Sequence, residues 1–293
     1  MTTEELAAEG GGNPCAGTGL AAARDGAATI SVGGVSWRLL AEHGGGESPI
    51  HIFENAADGA RLYVERGAVQ SHALPGGESL FPYVRGARDL LLRAGARRVA
   101  ILGGAGGTLA TMLARRGIGC VLVDLNPAAF AVAREYFWLA PSVECSVADA
   151  RAYLEECREG EPRFDAIVLD AYDLDGRLPP HLADEGFFRL ARRSLAGSGL
   201  LVVNVFAEGR DDPVADRLAE NIAAAGLPAS ILEDDGPAPG ERNVGPVFER
   251  NMLVVGGPFR RSWLPLPAGA PPGFWDFEER FRRCRAAGRA NRP

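Results

Sequence analysis

The sequence predicts an α/β protein in which a doubly wound, seven-stranded sheet follows a small N-terminal antiparallel β module. After residue 98, apolar strand-like runs alternate with helical stretches. This alternation is typical of a mainly parallel sheet that is covered by helices on both faces. Between residues 28 and 76, short runs with β propensity are instead separated by turn signals such as Gly33-Gly34 and Asp58-Gly59, which favours consecutive hairpins.

Composition divides the chain into four segments. Residues 1–27 are rich in Gly, Ala and Glu and show no periodicity, so we expect a disordered tail. Residues 28–76 form the predicted β module, and residues 77–257 form the α/β domain. Residues 258–293 are rich in Pro and Arg and contain aromatic residues, which we expect to pack back onto the body as an extension.

Hydrophobic patterns place the individual elements in order. The strands of the β module are predicted at residues 29–32, 35–40, 51–54, 60–65 and 68–71. A helical pattern then runs from 80 to 92, and further helices are predicted at 128–139 and 185–194. The strands of the large sheet are predicted at 99–102, 120–123, 143–147, 166–169, 199–205, 230–233 and 250–255, the last of them antiparallel.

Composition and charge exclude several classes of function. The 293 residues carry a net charge of −7, and this acidic balance disfavours a nucleic-acid partner. The five cysteines are scattered without a C-x-x-C spacing, and the histidines show no metal spacing, so we expect reduced thiols, no metal and a cytoplasmic protein. No apolar run is long enough for a membrane span, and the N-terminal residues lack the pattern of a signal peptide.

A glycine-rich turn is the most informative motif. Gly103-Gly-Ala-Gly-Gly107 follows an apolar strand, and the next strand ends at Asp124. Glycines let the backbone turn sharply and approach a ligand closely, and a carboxylate at the end of the second strand suits the hydroxyls of a ribose. The G-x-G-x-x-G fingerprint is incomplete because its third glycine falls on Leu109. A dinucleotide is therefore disfavoured, and a mononucleoside such as S-adenosylmethionine fits better.

Acidic residues follow the other strands at the same edge of the sheet, where open α/β sheets bind their ligands. Asp149 could accept a hydrogen bond from an adenine amino group or cap a helix, and both roles can coexist. Asp170 and Asp173 follow the apolar run 166–169. They could accept a proton from an amine nucleophile or hold a cation, unless this is only a solvated loop. His181 is either a general base or a structural histidine at a helix start.

At these motifs the chain resembles the spermidine synthase family, the polyamine aminopropyltransferases, which have a class I methyltransferase-type, Rossmann-like fold. The resemblance covers about residues 48–255. The glycine run resembles the G-G-G-D-G-G of the family, and Val123–Pro127 resembles its V-E-I-D-P. Further matches are Ala148–Ala150 to G-D-A, Asp170–Gly176 to D-x-x-D-P-x-G, and two segments around Gln70 and Glu78 upstream of the nucleotide domain.

The resemblance implies a role for each matching residue. Asp170 would bind and deprotonate the attacking amine, with Asp173 assisting. The residues implied in binding S-adenosylmethionine or its decarboxylated form are Gln70, Gly103, Gly104, Gly106, Asp124, Leu125, Asp149 and Ala150. Those implied in binding the small-molecule amine acceptor are Glu78, Tyr83, Tyr172 and His181. The resemblance also implies a homodimer formed through the N-terminal module.

The chain also departs from the pattern of the family. Ala105 replaces the aspartate of G-G-G-D-G-G that helps to hold the aminopropyl amine, and Phe81 and Tyr83 replace a Tyr and an acidic residue that bind the diamine. The P-T-Y-P-x-G segment is absent, and Gly245-Pro-Val-Phe stands near its place. Loss of an amine-binding carboxylate costs about 2–4 kcal/mol in a buried site. Three hypotheses therefore stand: aminopropyl transfer, methyl transfer from S-adenosylmethionine, and a non-catalytic nucleoside-binding homologue.

Overall fold

A computed structural model describes residues 20–22, 28–32, 34–44, 49–157, 163–173, 176–207, 212–232 and 250–260 of the chain. Its elements form two sheets with helices around the second. The first sheet contains β1 (Leu20–Ala22), β2 (Ala28–Val32), β3 (Val35–His43), β4 (Ile50–Glu54), β5 (Arg61–Glu65) and β6 (Ala68–Ala73). The elements that follow are α1 (Pro82–Arg93), β7 (Arg98–Leu102), α2 (Thr108–Ala114), β8 (Gly119–Asp124), α3 (Pro127–Tyr136), β9 (Glu144–Val147), α4 (Ala150–Glu156), β10 (Phe164–Leu169), α5 (Pro180–Ala183), α6 (Glu185–Ser194), β11 (Leu195–Ala207), α7 (Val214–Ala224), β12 (Ala229–Leu232) and β13 (Arg250–Gly256).

The N-terminal sheet is an antiparallel meander in the order β1-β2-β3-β4-β5-β6. The hairpin predicted at the Gly-Gly pair is present, because Val32 pairs with Val35 across it. The strand β1 lies inside the segment for which the sequence predicts a tail, and residues 1–19 lie outside the described residues. The predicted antiparallel β module is confirmed.

The large sheet has seven strands in the order β12-β13-β11-β10-β7-β8-β9. Strand β13 runs antiparallel to both of its neighbours, as predicted, whereas the pairs from β11 to β9 are parallel. Strand order reverses between β7 and β10, because the chain winds first toward β9 and then back toward β12. Such a switch point opens a crevice at the carboxyl ends of the central strands.

Both faces of this sheet are buried, since alternate side chains of a strand point to opposite faces. Ala100 and Leu102 of β7 join one apolar core with α4, α6 and α7, whereas Val99 and Ile101 join a second core with α1, α2 and α3. The near-continuous apolar runs of the central strands follow from this double burial. The predicted doubly wound α/β class is confirmed.

The N-terminal module packs against the large domain through one face of its sheet. Ile50, Ile52 and Tyr63 form an apolar cluster with Val132 and Phe137 at α3 and its end. This contact brings the carboxyl end of β5 and the middle of β6 over the edge of the large sheet. The module therefore contributes side chains to the crevice.

Most element bounds lie within two or three residues of the prediction. The helix α3 is shorter than predicted and ends at Tyr136, because Trp138 adopts a left-handed backbone (φ 58°) that interrupts helical hydrogen bonding. The predicted positions 175, 233, 245–248 and 261–293 lie outside the described residues. Across the described part of the chain, no helix is both long and apolar enough to cross a membrane.

Candidate active site

Backbone hydrogen bonds join the residues that follow β7, β9 and β10 to the last residues of neighbouring strands and hold these strand ends in one site. The Gly103 N–H donates to the carbonyl of Val123 at 2.7 Å, and the Asp170 N–H donates to the carbonyl of Leu102 at 2.8 Å. The Ala148 N–H extends the series by donating to the Asp124 carbonyl at 3.1 Å. The glycine turn and the acidic residues predicted from the sequence therefore lie side by side.

The glycine turn leaves no room for side chains at two of its positions. Gly103 has a left-handed backbone (φ 78°), and a Cβ there would lie 2.4 Å from the carbonyl oxygen of Asp170. A Cβ on Gly104 would lie 2.7 Å from Leu122 Cδ1. Both values are well below van der Waals contact, so glycine lets this turn pack directly against the neighbouring strands.

Replacing Gly103 with alanine is expected to lower the free energy of unfolding by at least about 2 kcal/mol, through backbone strain and steric overlap together. Gly95→Ala provides the matched control, because Gly95 has nearly the same backbone (φ 75°) but a Cβ added there would meet nothing within 4 Å. Urea denaturation of both variants separates the two contributions. A Gly103→Ala loss no larger than that of Gly95→Ala would show that the close approach to Asp170 is unimportant.

The N-terminal module contacts the glycine turn through a hydrogen bond at β6. Ser71 on β6 is buried, and its Oγ accepts a hydrogen bond from the Gly106 N–H at 3.1 Å. Ala105, the residue in place of the aspartate of the family motif, has a left-handed backbone (φ 42°) that is unfavourable for alanine. The backbone N–H groups of Gly104 and Ala105 donate hydrogen bonds to the Asp124 carboxylate, which helps to hold the turn in this conformation.

A carboxylate pair lies beside the turn. Asp124 Oδ1 accepts a hydrogen bond from the Asn126 N–H at 2.9 Å, and Asn126 Nδ2 donates to Glu65 Oε1 of β5 at 3.3 Å. Burial raises the pKa of Asp124, and the charge of Glu65 adds to the rise, while backbone N–H groups of Asn126, Gly104 and Ala105 oppose it. Asp124 thus faces the glycine turn, as the ribose hypothesis requires.

Two apolar side chains lie exposed at the same edge. Leu125 follows Asp124 and is 70% exposed, and Val147 of β9 is 57% exposed. Val147 pairs with Asp124 across the sheet, so the two apolar side chains belong to adjacent strand ends. An exposed apolar surface next to a ribose-type carboxylate suits the face of a nucleobase.

Asp149 combines the two roles that the sequence allowed. It is the N-cap of α4, where Oδ1 accepts from the N–H groups of Arg151 at 2.8 Å and Ala152 at 3.1 Å. Its Oδ2 lies 2.9 Å from Nε2 of His181 on α5. Partial burial alone would raise the pKa of Asp149, but the bonds to His181 and the backbone outweigh it and lower the pKa. Ala150, the first helical residue, is buried beneath it.

Asp170 borders a small cavity between the two sheets. Gln70 of β6, Tyr83 of α1 and Gly104 of the turn line it together with Asp170. The rest of its wall is mostly apolar and consists of Ser71, Val84, Ile101, Gly107, Thr108, Leu109 and Ala110. Residues that are far apart in the chain therefore converge on one carboxylate.

The environment of Asp170 makes it the most perturbed acid at this edge. Loss of solvent contact raises its pKa to about 6, although hydrogen bonds from Asn204 and Tyr83 oppose the rise. Asn204 Nδ2 donates to Oδ1 at 2.8 Å, and the Tyr83 hydroxyl donates to Oδ2 at 3.3 Å. A carboxylate whose pKa lies near neutrality can accept a proton from an amine, as general-base chemistry requires.

The remaining predicted residues lie nearby but outside the lining of the cavity. The Tyr172 hydroxyl is buried without a partner among the described residues, whereas Asp173 closes a turn by accepting from the Arg177 N–H at 2.9 Å. Glu78 forms an ion pair with Arg88 of α1. Their predicted roles in binding or assisting the acceptor stay predictions.

Sequence reasoning missed three side chains of this site, Ser71, Glu65 and Asn204. Asn204 offered a signal, because it is a lone polar residue within the apolar run Leu200–Val205. Glu65 and Ser71 offered none, since their contacts depend on how the module packs on the large domain. Among the described residues, no group of three or more Asp, Glu, His or Cys side chains could hold a metal ion.

The strand order and the position of the site are those of a class I methyltransferase-type fold with an N-terminal β module. Comparisons with known proteins indicate which proteins of this fold the chain resembles. The chain is 31% identical over 135 residues to the polyamine aminopropyltransferase of Vibrio vulnificus, an alignment that covers 44% of this chain and 45% of that protein. No protein-family model matches the chain. The chain thus spans less than half the length of this curated relative.

Solved structures share the fold. A probable spermidine synthase from Corynebacterium glutamicum superposes with a TM-score of 0.61 and 24% identity, over 74% of this chain and 79% of that one. A spermidine synthase solved in complex with the transition-state analogue AdoDATO superposes with a TM-score of 0.55 and 17% identity, over 79% and 78% of the two chains. The resemblance to spermidine synthases that the motifs predict is confirmed.

Proposed function

We propose that this protein is a spermidine synthase-like transferase that moves an aminopropyl group from decarboxylated S-adenosylmethionine to a small-molecule amine. One observation carries the proposal: Asp170, with Tyr83 and Gln70, borders a cavity directly beside the glycine turn. An amine that entered this cavity and a nucleoside bound against the turn would meet at one carboxylate. The likeness to polyamine aminopropyltransferases supports the same reaction.

The residues present suit a nucleoside donor. Glycine at 103 and 104 lets the turn pack closely against the neighbouring strands, and the Asp124 carboxylate beside the turn suits two ribose hydroxyls. Exposed Leu125 would cover one face of adenine, and Asp149 with Ala150 would lie at its edge. AdoDATO, which one of the structural neighbours binds, supports a ligand of this class.

The chemistry assigned to this chain is positioning and proton transfer. A bound sulfonium donor supplies an electrophilic carbon and leaves as a neutral thioether. Asp170 takes a proton from the ammonium form of the acceptor, which frees the amine lone pair. That lone pair then forms the new N–C bond as the C–S bond of the donor breaks. Tyr83 and Gln70 orient the reactants and exclude water, and holding them in line contributes to the rate. Asp173, Glu78 and Tyr172 belong to the proposed acceptor side, whereas His181, which contacts Asp149, would border the adenine side.

Methyl transfer from S-adenosylmethionine is the second candidate, and Ala105 favours it. In the aminopropyltransferase pattern an aspartate at this place helps to hold the amine of the donor, and alanine cannot. A homologue that binds a nucleoside without catalysis is the third. For either transferase, we also propose a cytoplasmic location, a homodimer and no metal cofactor.

Calorimetric titration of one purified sample with S-adenosylmethionine and with its decarboxylated form tests the proposal. We expect the decarboxylated donor to bind at least about tenfold more tightly, a difference of about 1.4 kcal/mol. Release of methylthioadenosine in the presence of amines should follow. Tighter binding of the carboxylated donor with release of S-adenosylhomocysteine would replace aminopropyl transfer with methyl transfer, and binding without any release would leave a nucleoside-binding protein.

A further inference from the structure

Asn204 is a polar side chain in an otherwise apolar part of the central strand β11. It is 2% exposed, and the flanking Val203 and Val205 are similarly buried. A buried amide lowers stability unless its hydrogen bonds are made, so a hydrocarbon of similar size would fit this place better on packing grounds alone. Its presence therefore calls for a local polar partner.

That partner is Asp170. Val168 of β10 pairs with Val202 of β11, and side chains two residues further along each strand point to the same face. This continuation places Asp170 beside Asn204, and Asn204 Nδ2 donates to Asp170 Oδ1 at 2.8 Å. The contact follows from the parallel register of two central strands, which fixes it more firmly than a loop contact.

The orientation of the amide depends on this contact. Asn204 Oδ1 is buried and has no hydrogen-bond partner among the described residues. No second hydrogen bond among these residues therefore orients the amide group. The reverse orientation would place Oδ1 against a carboxylate oxygen, which is unfavourable while Asp170 is ionised. The amide group of Asn204 thus donates its hydrogen bond to the Asp170 carboxylate.

We propose that Asn204 is a positioning residue that holds the Asp170 carboxylate toward the cavity in its ionised form. The proposal rests on the proposed function insofar as Asp170 is the general base. The second hydrogen bond to Asp170, from the Tyr83 hydroxyl, is longer at 3.3 Å and reaches the opposite oxygen. Asn204 therefore makes the closer of the two contacts.

Few other ionisable groups interact with the charge of Asp170. Within the described parts of the chain, these are Tyr83 on α1 and Tyr172 on the loop after β10. Burial raises the pKa of both phenols, and the charge of Asp170 raises it further. Both phenols are neutral over the range in which Asp170 titrates. A change in that titration can therefore be assigned to the loss of the amide donor.

The test measures the titration of Asp170 directly, by carboxyl ¹³C NMR, in the wild type and in Asn204→Leu. The Asp170 resonance is assigned by its loss in Asp170→Asn. Asn221→Leu is the matched control, because Asn221 Nδ2 makes an amide hydrogen bond of the same kind, to the Ala183 carbonyl at 3.0 Å, away from Asp170. We expect the midpoint to rise by about one pH unit or more in Asn204→Leu and to stay unchanged in the control.

An unchanged midpoint in Asn204→Leu would overturn the proposal. Asn204→Ala takes its place if the leucine variant does not fold. Where transfer activity is measurable, the acid limb of the kcat profile should move with the midpoint while the KM of the donor stays constant. A wild-type protein without any transfer activity would remove the proposed function, but the NMR titration would still decide whether Asn204 sets the charge of Asp170.

Discussion

Replacing Asp170 with asparagine is expected to lower the rate of group transfer by about 10²- to 10⁴-fold, the usual contribution of a general base. Asparagine keeps the size of the side chain and a hydrogen-bond acceptor but cannot take a proton from an amine. Nucleoside affinity should change little, because the proposed contacts to ribose and adenine are made by Asp124, Leu125 and Asp149 and not by the Asp170 carboxylate. Single-turnover rates and calorimetric affinities, measured on the same variant, check both expectations.

Asp165→Asn is the matched control for this variant. Asp165 lies near the start of strand β10, which Asp170 follows, and its Oδ2 accepts from the backbone N–H groups of Arg97 at 2.8 Å and Arg98 at 2.9 Å. These two bonds give Asp165 a structural role away from the cavity. The control is expected to lose some stability but to retain full transfer, so an equal loss of rate in both variants would contradict the role of Asp170.

The same substitution has a pH-dependent effect on folding. The pKa of Asp170 is raised to about 6 in the folded protein, above the value of an unfolded aspartate, so the folded state binds its proton more tightly. Wild-type stability should therefore fall as pH rises through about 6, and this contribution should be absent from Asp170→Asn. Urea denaturation at several pH values would detect the difference, and parallel profiles for the two proteins would argue against a perturbed carboxyl group.

Replacing Asp124 with alanine is expected to weaken nucleoside binding by about 100-fold, or about 2–3 kcal/mol, because two ribose hydroxyls would lose a charged acceptor. The loss should be the same for S-adenosylmethionine and for methylthioadenosine, since both share the ribose. Calorimetric titration with each ligand measures it. A loss confined to the charged ligand would instead assign Asp124 to the sulfonium side of the site.

Glu144→Ala is the control for Asp124→Ala. Glu144 is an exposed carboxylate on the neighbouring strand β9, where it pairs with Val121 in the middle of β8. Its removal changes the net charge by the same amount and should leave the dissociation constants unchanged. An effect of similar size in both variants would reduce the role of Asp124 to a long-range charge.

Phe81 and Tyr83, which depart from the family pattern, affect which amines the cavity could accept. Phe81 stacks on Tyr83 with ring centroids 5.7 Å apart, and it packs against the apolar cores of both domains. This side of the cavity is therefore aromatic, with Asp170 as the carboxylate among its described lining residues. Binding experiments should use amines of different length and charge, because such a wall favours apolar contact along the acceptor.

The sequence by itself determined the architecture and the edge of the sheet that holds the site. The apolar run before Gly103 predicts a doubly covered strand, and the acidic residues Asp124, Asp149 and Asp170 each stand at or just after the end of a predicted strand. Carboxyl ends of parallel strands meet at one edge, so local patterns were sufficient to predict that these residues lie together. The N-cap at Asp149 was equally readable, since it depends on neighbouring residues alone.

Only the tertiary structure decided which atoms meet. The contact of Asn204 with Asp170 depends on the register between β10 and β11, and that of Ser71 with Gly106 on the packing of the N-terminal module. The ion pair of Glu78 with Arg88 likewise joins a loop to the first helix. Pair contacts of this kind require the relative placement of separate elements to within a few tenths of an ångström, because hydrogen bonds are short and directional. Hydrophobic periodicity specifies which face of an element is buried, and it leaves that placement to the packing of the whole core.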